Sequence, residues 1–202
     1  MNKKELLASL EKKFPKKIVD AFLKVKREDF VIDSMKSRTY EDTALPLGHG
    51  QTISQPYTIA VMLSLLDVKD SQKILEVGSG CGYVLALLSE LTGKKGKVFG
   101  VELVKELAEQ SKKNLYEYSN VKVYNKNGAD GLEEHAPFDR ILISAACREV
   151  PERLLAQLKD HGILVAPVGS RYEQTLVKIQ NKKNNFITKE KISGFIFVPF
   201  IE

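Results

Sequence analysis

The sequence predicts an α/β fold: a doubly wound, mostly parallel seven-stranded sheet with an antiparallel edge and an N-terminal helical extension. Three observations predict it. From Lys73 onward, apolar strand-like segments alternate with helical ones. The segments Ile141-Leu-Ile-Ser-Ala-Ala146 and Gly162-Ile-Leu-Val-Ala-Pro167 are near-continuous apolar runs, as strands covered on both faces must be. A turn with glycines at 78, 80 and 82 joins the first strand of the series to a helix.

Taken in order, two short helices are expected over about 2–13 and 16–25, divided at Pro15, which cannot continue a helix interior. A polar, extended stretch runs from Asp33 to Gln51. Ser54-Gln-Pro-Tyr57 then opens a helix to about Asp67, with Ser54 as N-cap and Pro56 in the first turn. The alternating series follows as strand 73–78, helix 83–92, strand 97–102, helix 104–118, strand 121–124, strand 138–144, helix 151–159 and strand 162–167. Residues 174–180 and 186–200 form two strands without an intervening helix, hence the antiparallel edge. We read residues 1–70 as the N-terminal extension with a substrate-binding motif and 71–202 as the core, one compact domain overall.

Composition narrows the function. The 202 residues carry a net charge of +5, mild for a nucleic-acid binder. The lysines gather in the N-terminal helices and near the last hairpin without interleaved aromatics, so a solvated face explains them and no nucleic acid is expected. No apolar run approaches the ~20 residues of a membrane span, and the charged start is not a signal segment. Cys81 and Cys147 form no CxxC pair, which favours a reducing cytoplasm over a disulfide framework or zinc site. His49, His135 and His161 are scattered; no metal is implied.

Ile74-Leu-Glu-Val-Gly-Ser-Gly-Cys-Gly82 carries the chemistry. A strand that turns sharply into a helix needs residues without Cβ where φ is positive or a ligand lies against the backbone. The helix N-terminus then offers free N–H groups. The third glycine comes one residue earlier than in the dinucleotide fingerprint, and Glu76 precedes the first. This Glu-x-Gly-x-Gly-x-Gly form resembles motif I of class I S-adenosylmethionine-dependent methyltransferases; an ordinary glycine-rich turn is the alternative. Lys97-Val-Phe-Gly-Val-Glu102 ends a second strand in a carboxylate placed to accept from ribose hydroxyls, although a dipole-favoured helix-start acid would look the same. Asp130, in Asn127-Gly-Ala-Asp-Gly131, is a candidate acceptor for an adenine amine, or simply a turn residue. The loops after Val77, Val101, Tyr124 and Ile143 should converge on one crevice.

Longer stretches are more specific. Val25-Lys-Arg-Glu-Asp-Phe-Val31, Tyr40-Glu-Asp-Thr-Ala-Leu-Pro-Leu-Gly-His-Gly-Gln-Thr-Ile-Ser-Gln-Pro56, Pro137-Phe-Asp-Arg-Ile-Leu-Ile-Ser-Ala-Ala146, the run from Leu154 to Gly169 and Phe197-Val-Pro-Phe200 together resemble the protein-L-isoaspartate (D-aspartate) O-methyltransferases. The resemblance spans most of the chain. It implies a Rossmann-like sheet with an altered order of the last two strands, S-adenosyl-L-methionine as cofactor, and isoaspartyl-containing proteins and peptides as substrates. Their free α-carboxylate is methylated, and the ester collapses to a succinimide whose hydrolysis returns some normal aspartate. It implies Ser54 as the active-site serine, and Glu76, Gly78, Ser79, Gly80, Gly82, Glu102, Leu103, Asp130 and Gly131 on the cofactor. Thr52, Ile53, Ser54, Gln55, Val198 and Pro199 are implied on the substrate. It further implies a cytoplasmic monomer. Ile196 stands where the family often has arginine, and the chain lacks a tryptophan the family often has after Gly131, which bears on substrate preference.

The chemistry is undemanding. A carboxylate with a pKa near ~4 is already ionised at neutral pH, so no strong base is needed. Cys147 has neither a preceding proline nor a paired base, and reads as a small apolar residue at a strand end. Methylation of RNA or a small molecule on the same fold is the competing enzyme reading; a non-catalytic S-adenosylmethionine-binding protein is the third.

Overall fold

The computed structural model describes residues 1–201. Two helices, α1 (Lys3–Glu11) and α2 (Lys16–Lys24), lead into 3-10 turns at Arg27–Asp29 and Asp33–Arg38. A small hairpin follows, β1 (Leu45–Gly48) with β2 (Gln51–Ile53), then α3 (Pro56–Leu66). The alternating core consists of β3 (Lys73–Val77), α4 (Tyr83–Thr92), β4 (Lys97–Glu102), α5 (Lys105–Asn114), β5 (Val121–Asn125), β6 (Phe138–Ile143), α6 (Glu152–Ala156) and β7 (Leu158–Gly169). The edge is β8 (Gln174–Lys182) and β9 (Asn185–Phe195).

The seven-stranded sheet has the order β5-β4-β3-β6-β7-β8-β9. It is parallel from β5 through β7 and antiparallel at β8 and β9. Strand order reverses between β3 and β6, so the loops leaving their carboxyl ends diverge to opposite sides and open a crevice. The strand alternation divides the core. Ile74 belongs with Leu6, Ile18, Phe22, Leu63 and Leu85 on one face, whereas Leu75 and Val77 join Phe99, Phe138, Ile141 and Leu154 on the other. Burying a side chain of this size stabilises by roughly 1.5–3 kcal/mol, and Leu6 and Leu10 of α1 are almost completely buried.

Several expected boundaries move. Asn2 caps α1 in a reciprocal capping box with Glu5, so the helix starts one residue later and ends at Glu11. The stretch from Asp33 to Gln51, expected to be extended, holds a 3-10 turn and β1. Ser54 is not the N-cap of α3. Gln55 holds that position without a side-chain cap bond, and the Tyr57 N–H instead donates to Asp42 Oδ1 at 2.8 Å. Helix α5 stops at Asn114, not 118, and α6 at Ala156, not 159. Strand β7 begins at Leu158, four residues early, because its pairing with β6 jumps from Phe138↔Leu158 to Arg140↔Ile163, a bulge that absorbs Lys159–Gly162. The last strand ends at Phe195, not 200; beyond it the chain crosses to the β6 loop, bridging Ala146 and Pro199.

Candidate active site

The crevice at the strand-order reversal is a cleft of about 890 Å³, open mouth included. Four strand ends build it, as expected, through Val77–Cys81, Val101–Val104, Gly128 and Ser144–Ala145; Gln51–Ser54 and Val198–Ile201 close the other side.

On the β3 side the turn is fixed by the backbone. The N–H groups of Gly78 and Ser79 donate to the Val101 carbonyl at 2.9 and 3.1 Å, and that of Gly82 to the Ser79 carbonyl at 2.9 Å. Gly78, Gly80 and Gly82 all have positive φ. At Gly82 a Cβ would also lie 2.5 Å from Ser111 Oγ and 2.7 Å from Leu115 Cδ1, so only glycine lets this turn pack on α5.

Glu102 ends β4 and is buried. Its Oε2 accepts from the Gly80 N–H at 2.7 Å and its Oε1 from the Val104 N–H at 2.9 Å. The carboxylate therefore ties the glycine turn to β4, and each oxygen keeps a second lone pair for a ligand hydroxyl. Glu76 is the more unusual acid. It is 1% exposed, and its Oε1 accepts from Ser144 Oγ–H at 2.7 Å. Its Oε2, like Ser79 Oγ, is buried without a hydrogen-bond partner among the described residues. Burial, opposed by the Ser144 bond and reinforced by the Glu102 charge, pushes its pKa up to about 8. Both residues line the cleft. Two orphaned polar atoms on its floor fit a ligand bringing a cation and donors of its own, such as the ammonium of S-adenosylmethionine.

Across the cleft, Thr52, Ile53 and Ser54 line the wall with Val198 and Pro199. The Ser54 carbonyl accepts from Arg27 Nη2 at 3.0 Å. The C-terminal segment is anchored by the Ala146 N–H donating to the Val198 carbonyl and the Phe200 N–H to the Ala146 carbonyl, each at 2.8 Å. Gln55 stands at the start of α3, outside the lining.

The structure does not bring every expected residue together. Asp130 pairs with Arg153 and its side chain is 59% exposed; it is not among the residues that line the cleft, whereas Gly128 of the same turn is. Gly131 packs on Gln157. Ser144 went unnoticed in the sequence, although it stands one residue past Ile143, the partner of Val77 in the sheet. Asp42 went unnoticed because its bond to Tyr57 spans fifteen residues. Cys147 is 3% exposed and its thiol faces the Pro167 carbonyl, against a nucleophilic role. Among the described residues no group of three metal-ligating side chains occurs, and no helix is long and apolar enough to cross a membrane.

A profile of the protein-L-isoaspartate(D-aspartate) O-methyltransferases matches residues 1–202. The chain belongs to this family. A protein-L-isoaspartate O-methyltransferase of Methanothrix thermoacetophila is 43% identical over 203 aligned positions, covering 100% of this chain and 95% of the relative. A solved structure of a protein-L-isoaspartate O-methyltransferase superposes with a TM-score of 0.90 at 28% identity, covering 98% of this chain and 65% of that one. A second, a putative family member from Plasmodium falciparum in complex with S-adenosyl-L-homocysteine, gives 0.85 at 29% identity and covers 100% and 99% of the two chains.

Proposed function

We infer that the cleft transfers the methyl group of S-adenosyl-L-methionine to the free α-carboxylate of L-isoaspartyl and D-aspartyl residues in damaged proteins and peptides, which initiates their repair. One observation carries the reading: the buried, unpartnered Glu76 Oε2 and Ser79 Oγ lie in the same cleft as Ser54. The hydroxyl of Ser54 makes no hydrogen bond within the described residues and is available to donate to a carboxylate.

We assign the residues as follows. Glu76, Ser79, Glu102, Leu103 and the turn from Gly78 to Gly82 hold the cofactor, Glu102 accepting from its ribose hydroxyls and Glu76 facing its ammonium. Thr52, Ile53, Ser54, Val198 and Pro199 hold the substrate, and Ser54 O–H donates to the reacting carboxylate. The cofactor supplies an electrophilic methyl group on a sulfonium. The protein's part is alignment, which is worth roughly 7–11 kcal/mol when reacting groups are held in line. A dry site also favours a step in which opposite charges cancel. The Tyr57 N–H, already given to Asp42, takes no part. We place the protein in the cytoplasm as a monomer, a point that size-exclusion chromatography checks.

The discriminating experiment offers labelled cofactor to three acceptors in parallel: an isoaspartyl peptide, its aspartyl twin and bulk RNA. Base-labile label on the isoaspartyl peptide alone is expected. Label on RNA would move the activity to another substrate, and cofactor binding without transfer to any acceptor would remove catalysis.

A further inference from the structure

Arg27 opens the first 3-10 turn and is 0% exposed. Its Nε donates to the Thr39 carbonyl and its Nη2 to the Ser54 carbonyl, each at 3.0 Å. One side chain thus ties together three segments that are remote in sequence. The guanidinium lies 5.1 Å from the centroid of the Tyr83 ring, and Tyr83 and Ser54 both line the cleft. Nη1 has no partner, and no carboxylate forms an ion pair with this guanidinium among the described residues. Burial pulls its pKa below the ordinary guanidinium value, opposed chiefly by the adjoining Tyr83 side chain, through space and by hydrogen bonding, with Cys81 and, more weakly, Asp42.

A fully buried cation without a counterion is expensive to keep. Such violations of local consistency concentrate where function requires them. Two hydrogen bonds to carbonyls and one ring face compensate part of the cost. An anion in the adjoining cleft would supply the remainder.

We propose that Arg27 is a positioning residue for the reaction: it fixes the Ser54 segment through its two carbonyl bonds, and its unpaired charge favours an anionic substrate on that wall. This rests on the proposed isoaspartyl activity, whose substrate carboxylate is the anion in question. The Glu102 carboxylate already gives the cofactor side a negative group, tied to the Gly80 and Val104 N–H groups. Arg27 therefore divides the cleft electrically, with the positive charge behind the substrate and the Glu102 carboxylate behind the cofactor.

Two variants of the full chain separate its contributions. Arg27→Lys keeps the cation but lacks the planar fork that spans both carbonyls, whereas Arg27→Gln keeps a donor and loses the charge. S-adenosyl-L-homocysteine affinity is measured by calorimetry, alongside melting temperature and the KM and kcat for an isoaspartyl peptide. Affinity for the homocysteine compound is expected within twofold of the parent, with peptide KM raised at least tenfold in both variants and further in Arg27→Gln. A peptide KM within twofold of the parent overturns the assignment. So does a loss of cofactor-product affinity in step with KM, the mark of general loosening. Should Arg27→Gln fail to fold, Arg27→Lys alone decides by the same criteria. The parent's preference for isoaspartyl over aspartyl peptide is read first: its absence defeats the proposed function, whereas its presence with an unchanged variant KM defeats only the role of Arg27.

Discussion

At the scale of single residues, the assignments hang on who already holds each polar atom. Because Asp42, not Ser54, caps α3, the two roles a serine could combine are separated onto two side chains. Asp42→Ala should lower stability by about 1 kcal/mol, the usual value of a cap, seen as a fall in melting temperature. Ser54→Ala should leave the melting temperature near the parent's and reduce isoaspartyl turnover. A Ser54→Ala protein as active as the parent would exclude the donor role. Glu102→Ala removes the acceptor we assign to the ribose together with both backbone ties. Charge-assisted bonds of this kind contribute roughly 1.5–3 kcal/mol each, so S-adenosyl-L-homocysteine should bind at least tenfold more weakly by calorimetry.

Glu76 adds a pH dependence. Its folded pKa of about 8 lies above the ordinary carboxylate value, so the native state holds a proton that the unfolded chain has released. The stability this contributes is present in full below the unfolded value and is lost as pH rises through about 8. The melting temperature of the ligand-free parent should therefore fall between pH 6 and 8, and Glu76→Gln should flatten that slope. An identical slope in both proteins would place the proton elsewhere. The sequence marked Glu76 and Glu102 as acids at strand ends, but it could not show that one is satisfied and the other half-orphaned. Nor could it show Asp130 turned away to Arg153, since that partner lies twenty-three residues downstream.

At the scale of elements, the legible features were those written locally. The apolar runs marked β3, β4, β6 and β7, and the glycine turn marked the start of α4 correctly at Tyr83. Features that depend on a distant partner were not legible: the bulge that pulls the start of β7 back to Leu158, and the C-terminal segment that leaves β9 at Phe195 to pair with Ala146. The glycine turn offers a direct test of how tightly α4 and α5 constrain the cleft. Gly82 has φ of +88°, and its missing Cβ would meet Ser111 and Leu115. Gly82→Ala should cost about 1–3 kcal/mol through the strained backbone and at least as much again from overpacking, and it should weaken cofactor binding. A normal melting temperature would mean that the turn relaxes freely.

At the scale of the whole molecule, the N-terminal helices share one buried cluster with β3 and α4, so the wall bearing Ser54 and the floor bearing Glu76 rest on common packing. Charge contributes little to that union. Ion pairs such as Lys16–Asp20, Lys36–Asp33 and Lys112–Glu109 are largely exposed and are worth at most about 1 kcal/mol each. The fold class was legible at this scale because a doubly wound sheet repeats its signature along the chain. The cleft was legible because the strand-order reversal fixes where it must open. Its contents were legible chiefly through the long stretch from Tyr40 to Pro56, whose β1–β2 hairpin could not be drawn from pattern alone.

The most direct test of the central claim follows the fate of the methyl group. An isoaspartyl peptide and its aspartyl twin are incubated with the protein and S-adenosyl-L-methionine, and the products are resolved by mass spectrometry and NMR. The expected result is a methyl ester on the α-carboxylate of the isoaspartyl peptide alone, followed by loss of methanol to the succinimide and appearance of some normal aspartyl peptide. Equal methylation of both peptides, or a base-stable methyl group at any other atom, would contradict it.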